Sequence, residues 1–174
     1  MDNKEKSERD ETIALAVQAG VEAAIKYIDA EHKNARERNR KAAIKRTRFF
    51  LKNYRRIQKY AQSTPPSIIQ SDDAWFDDVI VIGGTKMTRR RAMMVFRHIL
   101  EATLYFKSDC ERSGKKQKMR QYRVIKARFI DEPGQLVREI AEQENVEERV
   151  IYRDIEDAIG SIAIILCGID GLPE

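Results

Sequence analysis

Arg149 and Arg153 stand four residues apart, with Tyr152 beside Arg153 and the acidic pair Glu147-Glu148 just ahead. At that spacing two guanidiniums share one face of a helix. Each offers a planar fork of donors that matches the O6/N7 edge of guanine and also grips phosphate. Tyr152 on the same face fits a thymine methyl or a phosphate, or packs against a preceding helix. Glu148 has the chemistry to accept from cytosine N4. Glu147 and Glu148 equally suit a helix N-terminus, where the macrodipole favours acids, although both repel DNA phosphates. Arg153 also has an intrachain alternative, an ion pair with Glu156 or Asp157.

Nothing else in the chain carries reaction chemistry. His32, His98, Cys110 and Cys167 are isolated, so no metal site, no catalytic residue and no cofactor is expected. There is no glycine-rich phosphate loop and no nucleophile–base arrangement. The acidic cluster Asp72, Asp73, Asp77 and Asp78 around Trp75 reads as a solvated loop.

The elements that position Arg149 and Arg153 form a helix-turn-helix over about residues 136–158. Ala141 is small where two helices must cross, and Asn145 stands where the turn needs a left-handed residue. Val146 plugs the turn, and Val150, Ile151 and Ile155 continue the apolar stripe. Such a motif lays its second helix in the DNA major groove.

Charge points the same way. The 33 Lys and Arg against 28 Asp and Glu give +5, a modest excess with an uneven distribution. Residues 31–61 hold twelve bases and only Glu31 and Glu37 as acids, and residues 112–128 hold eight bases and no acid. Two basic segments imply a polyanionic partner, or else two solvated helix faces. Arg48, Lys52, Arg55 and Arg56 in the first segment are candidate phosphate contacts, and Arg120 and Arg123 in the second are candidate DNA contacts. The first segment also suits a protein partner.

Scarce glycine (8) and proline (4), with almost no alternating runs, predict an all-α protein. A long helical pattern over residues 11–62 carries Ile13, Val17, Val21, Ala24 and Ile28 on one stripe, with a kink expected near 34–40. The domains read as a basic helical region 1–62, a linker 63–87 and a helical domain 88–174. The linker holds Pro65-Pro66, the acidic Trp75 segment and Val79–Ile82, a short strand without an evident partner. Thr88 caps a helix over about 89–111, with Met93, Met94, Ile99, Leu100, Leu104 and Phe106 as buried candidates, and another spans about 116–130. The run Ile162–Ile169 reads as the end of a core helix or as an exposed dimer seam, and is far short of the ~20 residues that cross a bilayer. With no apolar signal region at the N-terminus, a cytoplasmic protein with reduced thiols is expected.

The order of blocks Phe49-Phe-Leu-Lys-Asn-Tyr-Arg-Arg56, Thr88–Ile99, Arg120-Gln-Tyr-Arg-Val-Ile125, the helix-turn-helix with Val150-Ile-Tyr-Arg-Asp-Ile155, and the closing Ile-Leu-Cys-Gly-Ile-Asp-Gly-Leu172 resembles the ArpU/RinA type of phage late-gene regulators. The C-terminal part of that family is similar to the promoter-reading fourth region of sigma factors. The resemblance covers roughly residues 40–172 and implies a DNA-binding activator of packaging, morphogenesis or lysis genes. Its partners would be promoter DNA and the host RNA polymerase, with a homodimer as one state. This chain departs from the family at Glu147 and Glu148, where Ser, Lys or Arg is usual. The alternatives are a DNA-recognition protein of phage packaging, like a small terminase subunit, and a helical interaction protein that does not bind DNA.

Overall fold

The computed structural model describes residues 2–63, 79–82 and 84–168, with side chains described from residue 13 onward except at residue 79. The protein is all-α, with one hairpin among the described residues. In chain order the elements are α1 (Asp2–Lys52), α2 (Tyr54–Gln62), β1 (Val79–Ile82), β2 (Thr85–Thr88), α3 (Arg89–Ser113), α4 (Lys116–Ile125), α5 (Val137–Glu144) and α6 (Glu148–Cys167). One π turn, Lys126–Ile130, prolongs α4. The chain divides into two units, Met1–Lys41 and Ala42–Glu174.

The first unit is helix throughout its described residues. The helix is unbroken across 34–40, because that stretch has no Pro or Gly and its Arg, Glu and Ala residues are strong helix formers. The pair Lys41–Glu37, 3.7 Å apart, adds an i,i+4 contact. The apolar stripe is present and lies in solvent: Ile13, Val17, Val21 and Ile28 are 51–61% exposed.

The second unit holds the core. Leu51 and Tyr54 pack with Ile99 and Phe106 of α3, Val124 and Ile125 of α4, and Ile151, Ile155 and Ile159 of α6. The expected domain boundary at residue 62 therefore falls inside this unit, since the end of α1 and all of α2 supply buried side chains. Asn53 separates the two helices, and its Nδ2 donates to the Phe49 carbonyl over 2.8 Å. The strand at Val79–Ile82 finds its partner in Thr85–Thr88, paired antiparallel with Ile82 opposite Thr85. That partner was hard to read because Met87 is its only apolar residue. A two-stranded hairpin is marginal alone; here Ile82 and Met87 are buried against Ile57, Ala61 and Ala92. The Pro65-Pro66 connector and the acidic Trp75 segment lie outside the described residues.

Thr88 caps α3 by accepting from the Arg91 N–H, and Gly114, at φ 63°, ends it in a left-handed conformation. The buried ridge of α3 runs through Ala92, Ile99, Ala102, Phe106 and Cys110. Met93, Met94 and Leu104 fall on the opposite face and are more than half exposed, although their types suggested burial. At the C-terminal end Ile162 and Ala163 are buried, so this part of the apolar run closes the core, while Ile165 is 39% exposed.

Candidate nucleic-acid interface

α5, the turn and α6 are joined by backbone hydrogen bonds that their sequence dictates. The Glu139 carboxylate accepts from the Leu136 N–H over 2.6 Å, satisfying a donor at the start of α5. Asn145 ends α5 at φ 53°, ψ 50°. The Val146 N–H then reaches the Ala141 carbonyl (3.0 Å) and the Asn145 N–H the Glu142 carbonyl (3.2 Å), a Schellman closure. Val146 packs partly buried against the core cluster that holds Ile140 and the buried Ala141. The Val150 N–H bonds the Glu147 carbonyl over 2.9 Å and begins α6. Glu148 occupies the first turn of α6, where its charge opposes the positive end of the helix.

Ile151, Asp154, Ile155 and Ala158 turn α6 inward. Glu148, Arg149, Tyr152, Arg153 and Glu156 are left on the outer face, all exposed. Arg149 Nε lies 2.6 Å from a Glu147 carboxylate oxygen, with both side chains at least 70% exposed. Tyr152 is 56% exposed. Arg153 has no ion-pair partner among the described residues: Glu156 is taken by Arg48, and Asp157 accepts from Gln121 over 3.2 Å. Glu148 is the one acid of this face that has no ion-pair partner among the described residues.

Arg120 and Arg123, on α4, are both engaged by carboxylates of the neighbouring helices; Arg120 is mostly buried, while Arg123 lies at the surface. Arg120 Nε donates to Asp154 over 2.5 Å, and the Asp154 side chain is only 1% exposed. Arg123 makes two hydrogen bonds of 2.6 Å to the Glu144 carboxylate. That pairing lowers the Glu144 carboxyl below the ordinary glutamate range and raises the Arg123 guanidinium, with burial opposing both shifts. α4 is thus fastened to both helices of the motif, through Arg123–Glu144 to α5 and through Arg120–Asp154 to α6. Asp154 and Glu144 carry this positioning role, which the pattern of exposed recognition residues does not reveal. Asp154 had a signal, since it is a carboxylate on the apolar ridge Ile151–Ile155–Ala158, and a buried acid needs a partner.

The basic end of α1 lies beside α6. Arg48 pairs with Glu156, the third turn of α6. Lys45 and Lys52 precede and follow Arg48 by three and four residues, so they share its face, and both are exposed. Arg55 donates to the Asp131 carbonyl over 3.0 Å, Lys59 pairs with Glu132, and Arg56 is exposed. Among the described residues no group of His, Cys, Asp and Glu is placed to hold a metal ion, and no helix is long and apolar enough to cross a membrane. No protein-family model, curated protein or solved structure matches the chain.

Proposed function

We propose that the protein is a sequence-specific DNA-binding transcription regulator that reads the major groove with the first turns of α6. One observation carries the reading: the Asn145 turn sets α6 against α5 while Arg149, Tyr152 and Arg153 remain on its bare outer face. In this docking Arg153, which has no intrachain ion pair among the described residues, donates to a guanine edge or a phosphate. Arg149 joins it by exchanging Glu147 for DNA, a small cost because an exposed ion pair contributes only about 0–1 kcal/mol. Tyr152 between them meets a thymine methyl or the sugar-phosphate edge. Lys45 and Lys52, flanking the Arg48–Glu156 pair, lie where the backbone beside the groove would pass. Arg120 and Arg123 act as positioning residues, since their donors are engaged by Asp154 and Glu144.

Activation of phage late genes together with host RNA polymerase rests on the family resemblance, and is proposed on that ground. The test is footprinting on the DNA flanking its own gene, followed by anisotropy titration of the protected site and a scrambled duplex. Arg153→Ala is expected to weaken the protected site by about 1–3 kcal/mol, roughly 5- to 150-fold, with little change on the scrambled duplex. Equal small losses on both would overturn base reading by α6.

A further inference from the structure

The apolar face of α1 in the first unit is a surface that the DNA reading leaves unused. Over residues 13–28, apolar and small residues fill a stripe of about 160° between Tyr27 and Ile25 on the helical wheel, including Ile13, Val17, Gly20, Val21, Ala24 and Ile28, and Glu31 and His32 enter it only in the following turn. A helix with so broad a stripe normally buries it. Here Val17, Val21, Ile25 and Ile28 are 51–59% exposed, and Tyr27 reaches 69%. Ala14, Val21, Ile28 and Ala35 recur every seven residues, and Val17 and Ala24 interleave with them at the other seam position, which Glu31 takes in the next heptad. That is the register of a helix that pairs with another helix along its length.

Charge selects the partner and its direction. Residues 2–31 hold eight acids against four bases, net −4, whereas residues 33–41 hold five bases against one acid, net +4. A parallel copy would set the basic ends side by side. An antiparallel copy sets the basic end of each helix beside the acidic-leaning start of the other, where Glu8, Asp10 and Glu11 outnumber Arg9. We infer that residues 13–35 of α1 pair with the same segment of a second copy of this chain in an antiparallel two-helix contact. The seam centres near Val21 and Ala24, whose small neighbour Gly20 lets the backbones approach. This contact is distinct from DNA reading by α6, and it is tested without DNA.

The experiment uses the full chain. Sedimentation equilibrium at tens of micromolar is expected to show a dimer that strengthens at low salt. Replacing Val17, Val21 and Ile28 with Gln, a good helix former, is expected to yield a monomer with unchanged circular dichroism. Direction is read by energy transfer in a Cys167→Ser background, with the buried Cys110 retained. A donor on Asn3→Cys and an acceptor on Asn39→Cys, mixed, are expected to transfer efficiently. In a parallel pair the same positions are about 54 Å apart, at 1.5 Å per helical residue. A monomeric parent chain, a triple variant that still dimerises, or strong transfer between two Asn3→Cys labels would each overturn the inference.

Discussion

Replacing Arg120 with Met strands the Asp154 carboxylate between α4 and α6. The Asp154 side chain is 1% exposed and the Arg120 side chain 22%. Removing one partner of a buried pair costs roughly 3–5 kcal/mol, because the remaining charge loses its compensation without regaining water. The partial exposure of Arg120 places the loss at the lower end, about 3 kcal/mol. For a unit the size of Ala42–Glu174, that corresponds to a fall in Tm on the order of 10 °C. Adding Asp154→Leu removes the stranded charge, and the double variant is expected to recover most of the loss, since apolar replacements of buried pairs are often neutral. Urea and thermal melts followed at 222 nm measure both. A single-variant loss below about 1 kcal/mol, or a double variant no more stable than the single, would refute the assignment of Arg120 to the Asp154 clamp. An Arg120 that contacted phosphate instead would leave Tm nearly unchanged and reduce the DNA salt slope by about 0.9.

Three further outcomes follow from the same geometry. Because Arg123 holds the folded Glu144 carboxyl below its ordinary value, their contribution is full above about pH 4.3 and lost as pH falls through the depressed value; Glu144→Gln should therefore lower stability at pH 7 while flattening its decline in acid, and parallel acid curves for parent and variant would contradict this. Asn145 sits at φ 53°, so Asn145→Val should cost about 1–2 kcal/mol in a urea melt while Asn145→Gly stays near neutral; equal losses would argue against the left-handed turn. Replacing Lys45 and Lys52 together with Gln should flatten the log–log salt dependence of DNA affinity by about 1.8, and an unchanged slope would move the DNA away from α1.

Much of this architecture was legible in the residues. Asn145 is left-handed where its type predicted a turn, Ala141 is buried, and Val146 packs partly buried against the core. The apolar periodicity of α6 and the Thr88 cap are local signals and were equally plain. What escaped depended on partners distant in sequence. A basic residue reads the same whether it faces solvent or a carboxylate 34 positions away, as Arg120 faces Asp154. Residues 42–62 looked continuous with the helix before them because their charge pattern did not change, yet Leu51, Tyr54 and Ile57 seat them in the core. The β2 strand was invisible because Thr85–Thr88 has one apolar side chain and borrows its stability from α2 and α3.

The two carboxylate clamps bear on how the protein could change its target over generations. Asp154 and Glu144 fix the pose of the motif from within, through contacts to α4. The outward positions 149, 152 and 153 hold none of that framework. New side chains there can be sampled one at a time on a helix whose placement stays constant, so under the proposed DNA-reading role a descendant chain could acquire a different operator without passing through a poorly folded ancestor.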